Sequence, residues 1–294
     1  MNDFRYLRPT TLEEVVSLLG RYQGDVRVIS GGQSLIPRLR ARLLAPRYIL
    51  GLEGIAELAR IEQVNGRLRI GATVTYRQLC ANPLVERHAP LLVEAGRLVG
   101  SPQVRNLGTL GGNVCQNDPG ADPPPALLAL GATAVIGGAT GERRLPLDEF
   151  FKGYSNTALS DLELLCGIEV PPEPSEIAWN YVKFGWRAIG RSIVGVAVAL
   201  DLRDGICRSA RIAIAGAGTI PFRARAVERL LAGRDPSAAL DEAARIAMAE
   251  PQVDPPSDAQ ASAEYRRQMV GVFVRRALGS AIGGALDRSR SRQA

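Results

Sequence analysis

Residues 109–130, TLGGNVCQNDPGADPPPALLAL, decide how this chain is read. Two adjacent glycines, Gly111 and Gly112, run into a polar stretch of Asn113, Gln116, Asn117, Asp118 and Asp122, and an apolar helical pattern starts only after Pro123-Pro124-Pro125. Paired glycines let a backbone approach a ligand that a Cβ would keep away. Exposed N–H groups in such a turn suit anionic oxygens, while carboxylate and carboxamide side chains suit hydroxyl groups. A pyrophosphate joined to a polyol, the profile of a dinucleotide, matches that set of donors and acceptors. A second glycine pair lies near the N-terminus, Gly31-Gly32 in ISGGQSLIP at 29–37. Strand-like Val26–Ile29 leads into it and Ser34-Leu35-Ile36 leads out, the strand–turn–helix order of a phosphate loop. Two such loops in one chain suggest a ligand clamped from two sides.

Around the loops the pattern is α+β. Thr11-Leu12-Glu13-Glu14 predicts a helix start with Thr11 as N-cap and Glu14 completing a capping box, and Val15, Leu18 and Leu19 continue an apolar face. Strands are expected at Tyr48–Leu52, Leu68–Ile70, Thr133–Ile136 and Glu163–Val170, with Gly137-Gly138 turning a hairpin to Arg143–Leu145. Helices are expected over Thr75–Ala81 and Leu91–Val99. PPEPSE at 171–176 reads as a linker. Beyond it, three strands (Ala178–Phe184, Ile193–Leu202 and Ala210–Ala215, with Gly205 in a turn) precede helices near Arg223–Ala232, Ser237–Glu250 and Ala261–Gly279. Strands followed by helices predict a small sheet backed by helices.

The composition excludes several chemistries. The chain has 294 residues and a net charge of +6, spread along its length apart from RSRSR in the tail, so no nucleic-acid surface is expected. The four cysteines (Cys80, Cys115, Cys166 and Cys207) form no CxxC pair, and His88 is the one histidine. Neither a zinc site nor an iron–sulfur cluster held by this chain alone fits that inventory, nor does a Ser-His-Asp or Cys-His apparatus. No catalytic side chain or metal ligand is therefore assigned, and His88 reads as a helix-end residue. The N-terminus lacks the apolar core of a signal peptide and no apolar run is long enough for a bilayer, so a cytoplasmic protein with reduced thiols is expected.

Four segments in order, ISGGQSLIP at 29–37, QVRNLGTLGGNVCQNDPGADPPPALLALGA at 103–132, FFKGYSNTAL at 150–159 and LELLCGIEVP at 162–171, with EYRRQMVGVFVRRAL at 264–278, closely resemble the FAD-binding subunit of molybdenum hydroxylases. That family includes carbon monoxide dehydrogenase and xanthine dehydrogenase, and the resemblance covers nearly the whole chain. It implies an FAD-binding region of two α+β subdomains (PCMH type) over 1–175. A C-terminal domain of the carbon monoxide dehydrogenase flavoprotein type, a small antiparallel sheet with helices, would occupy 176–285; the basic tail 286–294 is expected from its composition alone to be disordered.

The resemblance also implies site residues. Ser30, Gly31, Gly32, Gln33, Ser34 and Leu35 would hold the FAD pyrophosphate. In the second loop, Thr109 would donate to phosphate, Gly111 and Gly112 would lie against the cofactor beside Asn113, and Asp122 would accept from sugar or ribityl hydroxyls. Leu165 and Lys183 match further family positions near the cofactor. Read from residues alone, Asp122 is equally a helix N-cap, Leu165 a core residue and Lys183 an exposed lysine. Val99 stands where some relatives stack an aromatic ring on adenine, and the chain lacks the cysteine-rich insert of the 4-hydroxybenzoyl-CoA reductase subunit, leaving Cys115 a small hydrophobe near the flavin. The function implied is a non-covalent FAD electron-transfer subunit. It would pass electrons from partner 2Fe-2S clusters to an external acceptor, with a molybdenum-cofactor large subunit and an iron–sulfur small subunit, in a dimer of heterotrimers. A stand-alone flavin oxidoreductase of the same fold and a flavin-free scaffold are the alternatives.

Overall fold

A computed structural model describes residues 3–174 and 177–293; the side chains of 286–293 lie outside that description. The chain opens with β1 (Arg5–Leu7), α1 (Leu12–Arg21), β2 (Val26–Ile29), α2 (Leu35–Arg40) and β3 (Tyr48–Gly51). These form a parallel three-stranded sheet in the order β1-β3-β2. Parallel neighbours need crossover connections, and α1 supplies one, burying Val15 and Leu19 against Val26, Leu50 and Leu52. Thr11 caps α1 by accepting the Glu14 N–H at 3.2 Å, but the Glu14 carboxylate returns to the Thr10 N–H at 2.6 Å. The expected capping box thus closes one residue early.

The second sheet is antiparallel, ordered β4-β5-β10-β6-β7. It contains β4 (Ile61–Val64) and β5 (Arg67–Gly71), and then the chain leaves it for six short helices. They are α3 (Tyr76–Ala81), α4 (Pro83–His88), α5 (Pro90–Arg97), α6 (Pro102–Leu107), α7 (Leu110–Gln116) and α8 (Pro123–Ala129). It returns through β6 (Thr133–Gly138), β7 (Gly141–Pro146), α9 (Leu147–Phe150), the small ribbon β8 (Phe151–Gly153) and β9 (Asn156–Thr157), and β10 (Leu164–Val170), whose residues are all buried.

Three expectations change here. The hairpin turns at Ala139-Thr140, because Gly137 and Gly138 pair with Glu142 and Gly141. Gly111-Gly112 is the first turn of α7, capped by Thr109, rather than an open loop. Helix α8 begins at Pro123 and not after the prolines, since the first helical turn requires no N–H from its residues.

The C-terminal sheet, β11 (Ile177–Phe184), β12 (Val194–Arg203), β13 (Ile206–Ala215) and β14 (Phe222–Arg223), is antiparallel in sequence order. Asp204 and Gly205, at φ 52° and 76°, join β12 to β13, the two positive φ values that a tight hairpin turn demands. Alternation along these strands sorts side chains by size. Val196, Val198, Leu200, Ile212 and Ile214 pack with α10 (Arg225–Leu231), α11 (Leu240–Met248) and α12 (Ala263–Gln293), while Ala197, Ala199 and Ala213 join the core that contains α8. The small face lets α8, wholly buried, fit between the C-terminal sheet and the helices of the first half. Residues 171–174 carry no regular structure between β10 and β11, and 175–176 of the expected linker lie outside the described residues. The helix α12 runs on to Gln293. Among the described residues no helix is long and apolar enough to cross a membrane.

Candidate functional site

A cleft of about 730 Å³ opens where the β2–α2 loop meets the N-terminus of α7. Its far wall comes from Leu164 and Leu165 of β10 and from Ile189, Gly190 and Arg191 in the β11–β12 connection. Ser30, Gly31, Gly32, Gln33, Ser34, Leu35, Thr109, Gly111, Gly112, Asn113, Asp122 and Leu165 all line it. Of the sequence-predicted residues only Lys183 is absent from the lining. Leu165 is both core and wall: it is 2% exposed and stands at the irregularity where β10 shifts register against β6.

The glycines act first on each other's loops. A Cβ on Gly31 would fall 2.1 Å from the Leu107 carbonyl oxygen and 2.8 Å from the Gly108 Cα. One on Gly111 would meet the Ala72 Cβ at 2.5 Å, and one on Gly112 the Thr109 Oγ1 at 2.7 Å. The missing side chains therefore allow the two loops and the β5–α3 connection to close on one another, a role that reading them as ligand approaches alone did not foresee. Only Gly32, at φ 71°, also needs glycine for its backbone. The Ser30 and Thr109 hydroxyls bond across the junction at 2.9 Å.

The two loops differ in what they leave free. The backbone N–H groups of Gly31, Gly32, Gln33, Ser34 and Leu35 have no protein acceptor among the described residues. In the second loop, Leu110, Gly111 and Asn113 donate to Val74, Ala72 and Thr109 carbonyls, and Gly112 donates to the Thr109 hydroxyl. Anion-binding capacity thus belongs to the first loop, in the form of adjacent donors that a phosphate group suits. The second contributes hydroxyls: the Ser30–Thr109 bond uses one of two protons, so one remains for a ligand.

Asp122 precedes α8 but its side chain caps nothing. Instead it is 5% exposed and accepts from the Tyr181 and Ser192 hydroxyls at Oδ1, both at 2.8 Å, and from the Lys183 Nζ at Oδ2, at 2.7 Å. Lys183 also donates to the Leu98 carbonyl at 2.9 Å. Its side chain is 8% exposed, so the exposed lysine of the residue reading is a buried counter-ion behind Asp122. Burial raises the Asp122 carboxyl above its ordinary value, against the pull of Lys183, Ser192 and Tyr181. Four acceptor positions on a carboxylate less three donors leave one, on Oδ2, for a ligand hydroxyl.

Other residues of the cleft carry no motif. Arg191 pairs with Asp118 at 2.8 Å and ties the β11–β12 connection to the end of the second loop. Gln116 donates to the Ser155 hydroxyl at 2.9 Å, which Arg38 also approaches at 3.4 Å. Tyr181 and Ser192 lie too far along the chain for any local pattern to link them to Asp122. Two buried polar atoms in the wall have no partner, Asn113 Oδ1 and the Tyr76 hydroxyl. Burial pushes the Cys115 thiol up to about 12, so it is an inert thiol and not a nucleophile. Among the described residues no cluster of His, Cys, Asp and Glu is arranged to hold a metal ion.

Free amides, a hydroxyl proton and a carboxylate position together fit a pyrophosphate flanked by hydroxyl-bearing groups. The cleft volume is that of a cofactor-sized pocket, on the order of 300–1,000 Å³.

Residues 2–173 match the family described as FAD binding domain in molybdopterin dehydrogenase, and residues 183–281 the CO dehydrogenase flavoprotein C-terminal domain. The glyceraldehyde dehydrogenase medium chain of Sulfolobus acidocaldarius is 35% identical over 94% of this chain and 97% of its own. The carbon monoxide dehydrogenase medium chain of Afipia carboxidovorans is 33% identical over 94% of this chain and 95% of its own. A chain from the crystal structure of a cyanide-inactivated Cu,Mo-CO dehydrogenase superimposes with a TM-score of 0.93 at 32% identity, covering 96% of this chain and 99% of that one.

Proposed function

The chain belongs to the FAD-binding medium subunits of molybdenum hydroxylases, and from that premise we propose that it holds FAD non-covalently in this cleft as the electron outlet of a larger oxidoreductase. The observation that carries the reading is the row of unengaged amides from Gly31 to Leu35, in a cleft that Asp122 also lines. Those amides hold the pyrophosphate. The spare proton of the Ser30–Thr109 pair reaches the same group, and Asp122 accepts a hydroxyl through its free Oδ2 position, held in place by Lys183, Tyr181 and Ser192. Leu165 and Ile189 would give the bound cofactor apolar contacts in the cleft wall. When bound, FAD supplies a carrier that meets one-electron donors and two-electron acceptors. No side chain here is given a proton to move, so the protein's part is position and electrostatics.

The partners in this reading are a large subunit with the molybdenum cofactor and a small subunit with 2Fe-2S clusters, joined as a dimer of heterotrimers. The FAD held by this chain would supply a carrier between those clusters and an external acceptor. Co-purification from native cells tests it. A complex of three different chains, whose flavin absorbance bleaches when the oxidisable substrate is added anaerobically, is the expected result. An active flavoprotein of this chain alone would contradict the proposal.

A further inference from the structure

The β11–β12 connection, residues 185–193, serves the cleft twice. Its Ile189, Gly190 and Arg191 line it, and its Ser192 hydroxyl donates to Asp122 at 2.8 Å. A turn in which the Gly190 N–H donates to the Arg187 carbonyl at 2.9 Å presents Ile189, and the Ile193 N–H closes the base by donating to the Phe184 carbonyl at 2.7 Å. On one side the connection is tied to the second loop, by Arg191 to Asp118 and by the Ser192 N–H to the Gly120 carbonyl at 2.9 Å. On the other side it meets residues 258–266, which run into α12. The Trp186 indole N–H donates to the Gln260 carbonyl. Trp186 is 70% exposed, so burial does not account for a tryptophan there, whereas its one polar atom does. Arg266, 4% exposed, donates to the Ile193 carbonyl at 3.3 Å and to both Asp258 carboxylate oxygens at 2.8 Å. Asp258 in turn accepts the Gln260 and Ala261 N–H groups at 2.8 and 3.1 Å. One carboxylate thus fixes both the guanidinium that holds Ile193 and the segment whose carbonyl holds Trp186.

We propose that Trp186 and Arg266 are positioning residues for the cofactor: with Asp258 they form a strut from the C-terminal domain that holds the β11–β12 connection against the cleft. The inference rests on the FAD reading above. Neither residue lines the cleft, so both act through the connection. Releasing the strut loosens the wall at Ile189 and, through Ser192, one of the three donors that orient Asp122. The ties to Asp118 and Gly120 remain, so the connection opens without the fold being lost.

The test uses the full chain, with and without FAD, and compares wild type with Trp186→Phe and Arg266→Lys. Phenylalanine keeps the exposed ring and loses only the N–H. Lysine keeps a charge for Asp258 but not the planar fork that serves Ile193 at the same time. Trypsin reports on the connection directly, because the exposed Arg187 lies within it. Cleavage follows the population of the open form, so one lost hydrogen bond predicts cutting after Arg187 about fivefold faster than in wild type, with or without FAD. FAD dissociation is expected to quicken by a similar factor in both variants, with the Tm of flavin-free Trp186→Phe equal to wild type. Unchanged FAD dissociation in both variants would overturn the inference, even with faster cutting or a lowered Tm, since the contacts would then serve the fold alone. Faster dissociation with unchanged cutting would also overturn it, by showing that the effect bypasses the connection. Wild type that takes up no FAD would remove the FAD reading itself, an outcome distinct from variants that match a binding-competent wild type, and cutting after Arg187 in the flavin-free chain would still decide whether the strut exists.

Discussion

Asp122 shows what a single residue can and cannot announce. A carboxylate after a glycine pair pointed to hydroxyl recognition, but its three protein donors come from residues 59 to 70 positions away, a distance no local pattern spans. Those donors change the expected behaviour of a variant. Asp122→Ala removes one partner of a buried ion pair and strands Lys183, so denaturant unfolding should show a loss of about 3–5 kcal/mol alongside reduced FAD content. Full stability with normal FAD content would remove Asp122 from both roles. Gly31 was legible as a loop residue, yet its closest constraint is the Leu107 carbonyl. Gly31→Ala should push the two loops apart and abolish FAD uptake in a fluorescence titration, and normal uptake would show that the loops can separate without harm.

Glu163, in the cleft wall, carries a pH signature. Its hydrogen bonds from Arg143 and Ser160 hold the carboxyl down to about 2, from an ordinary 4.5. A depressed acid contributes stability above its unfolded pKa and loses it as pH falls. Urea midpoints should therefore drop between about pH 4.5 and 2, and Glu163→Gln should shrink that drop. An identical profile in both proteins would contradict the assignment.

At the scale of elements, strands were easier to read than the helices between them. In β12 large and small side chains alternate from Val194 to Leu200, and its hairpin to β13 carries Asp204-Gly205, so period and turn chemistry agreed. The segment 83–116 breaks into helices of six to eight residues, several opened by proline; α5 was expected over Leu91–Val99 and a helix end at His88, while α6 and α7 are too short for a periodic signal to develop. Helix α7 was missed because Gly-Gly reads as a breaker; Thr109 and close packing on Ala72 override that preference. The alanine face of β12 and β13 was visible as composition, but its reason, the approach of α8, needed the fold. Ala213→Leu should overpack that contact and lower stability by about 1–3 kcal/mol in thermal or denaturant unfolding; a neutral result would mean that α8 has room to move.

For the molecule as a whole, sequence order became spatial convergence. The two glycine loops lie about eighty residues apart in the chain, from Gly31 to Gly111, yet pack on each other, and the C-terminal sheet supplies Tyr181, Lys183 and Ser192 to support Asp122. The boundary drawn at the linker from composition falls between two sheets, but α8 and the Arg211 guanidinium, which bonds both Glu173 and the Ala129 carbonyl, bind the halves into one body. The cleft thus depends on both halves, although its motifs lie in the first.

The most direct test of the account is the cofactor itself. The chain, purified gently, is measured for visible absorbance, precipitated with acid, and the released chromophore identified and counted. FAD in the supernatant at about one per chain, the stoichiometry of a single cleft, is the predicted result. A colourless chain that takes up no added FAD, or colour that stays with the precipitate as a covalent flavin would, contradicts it.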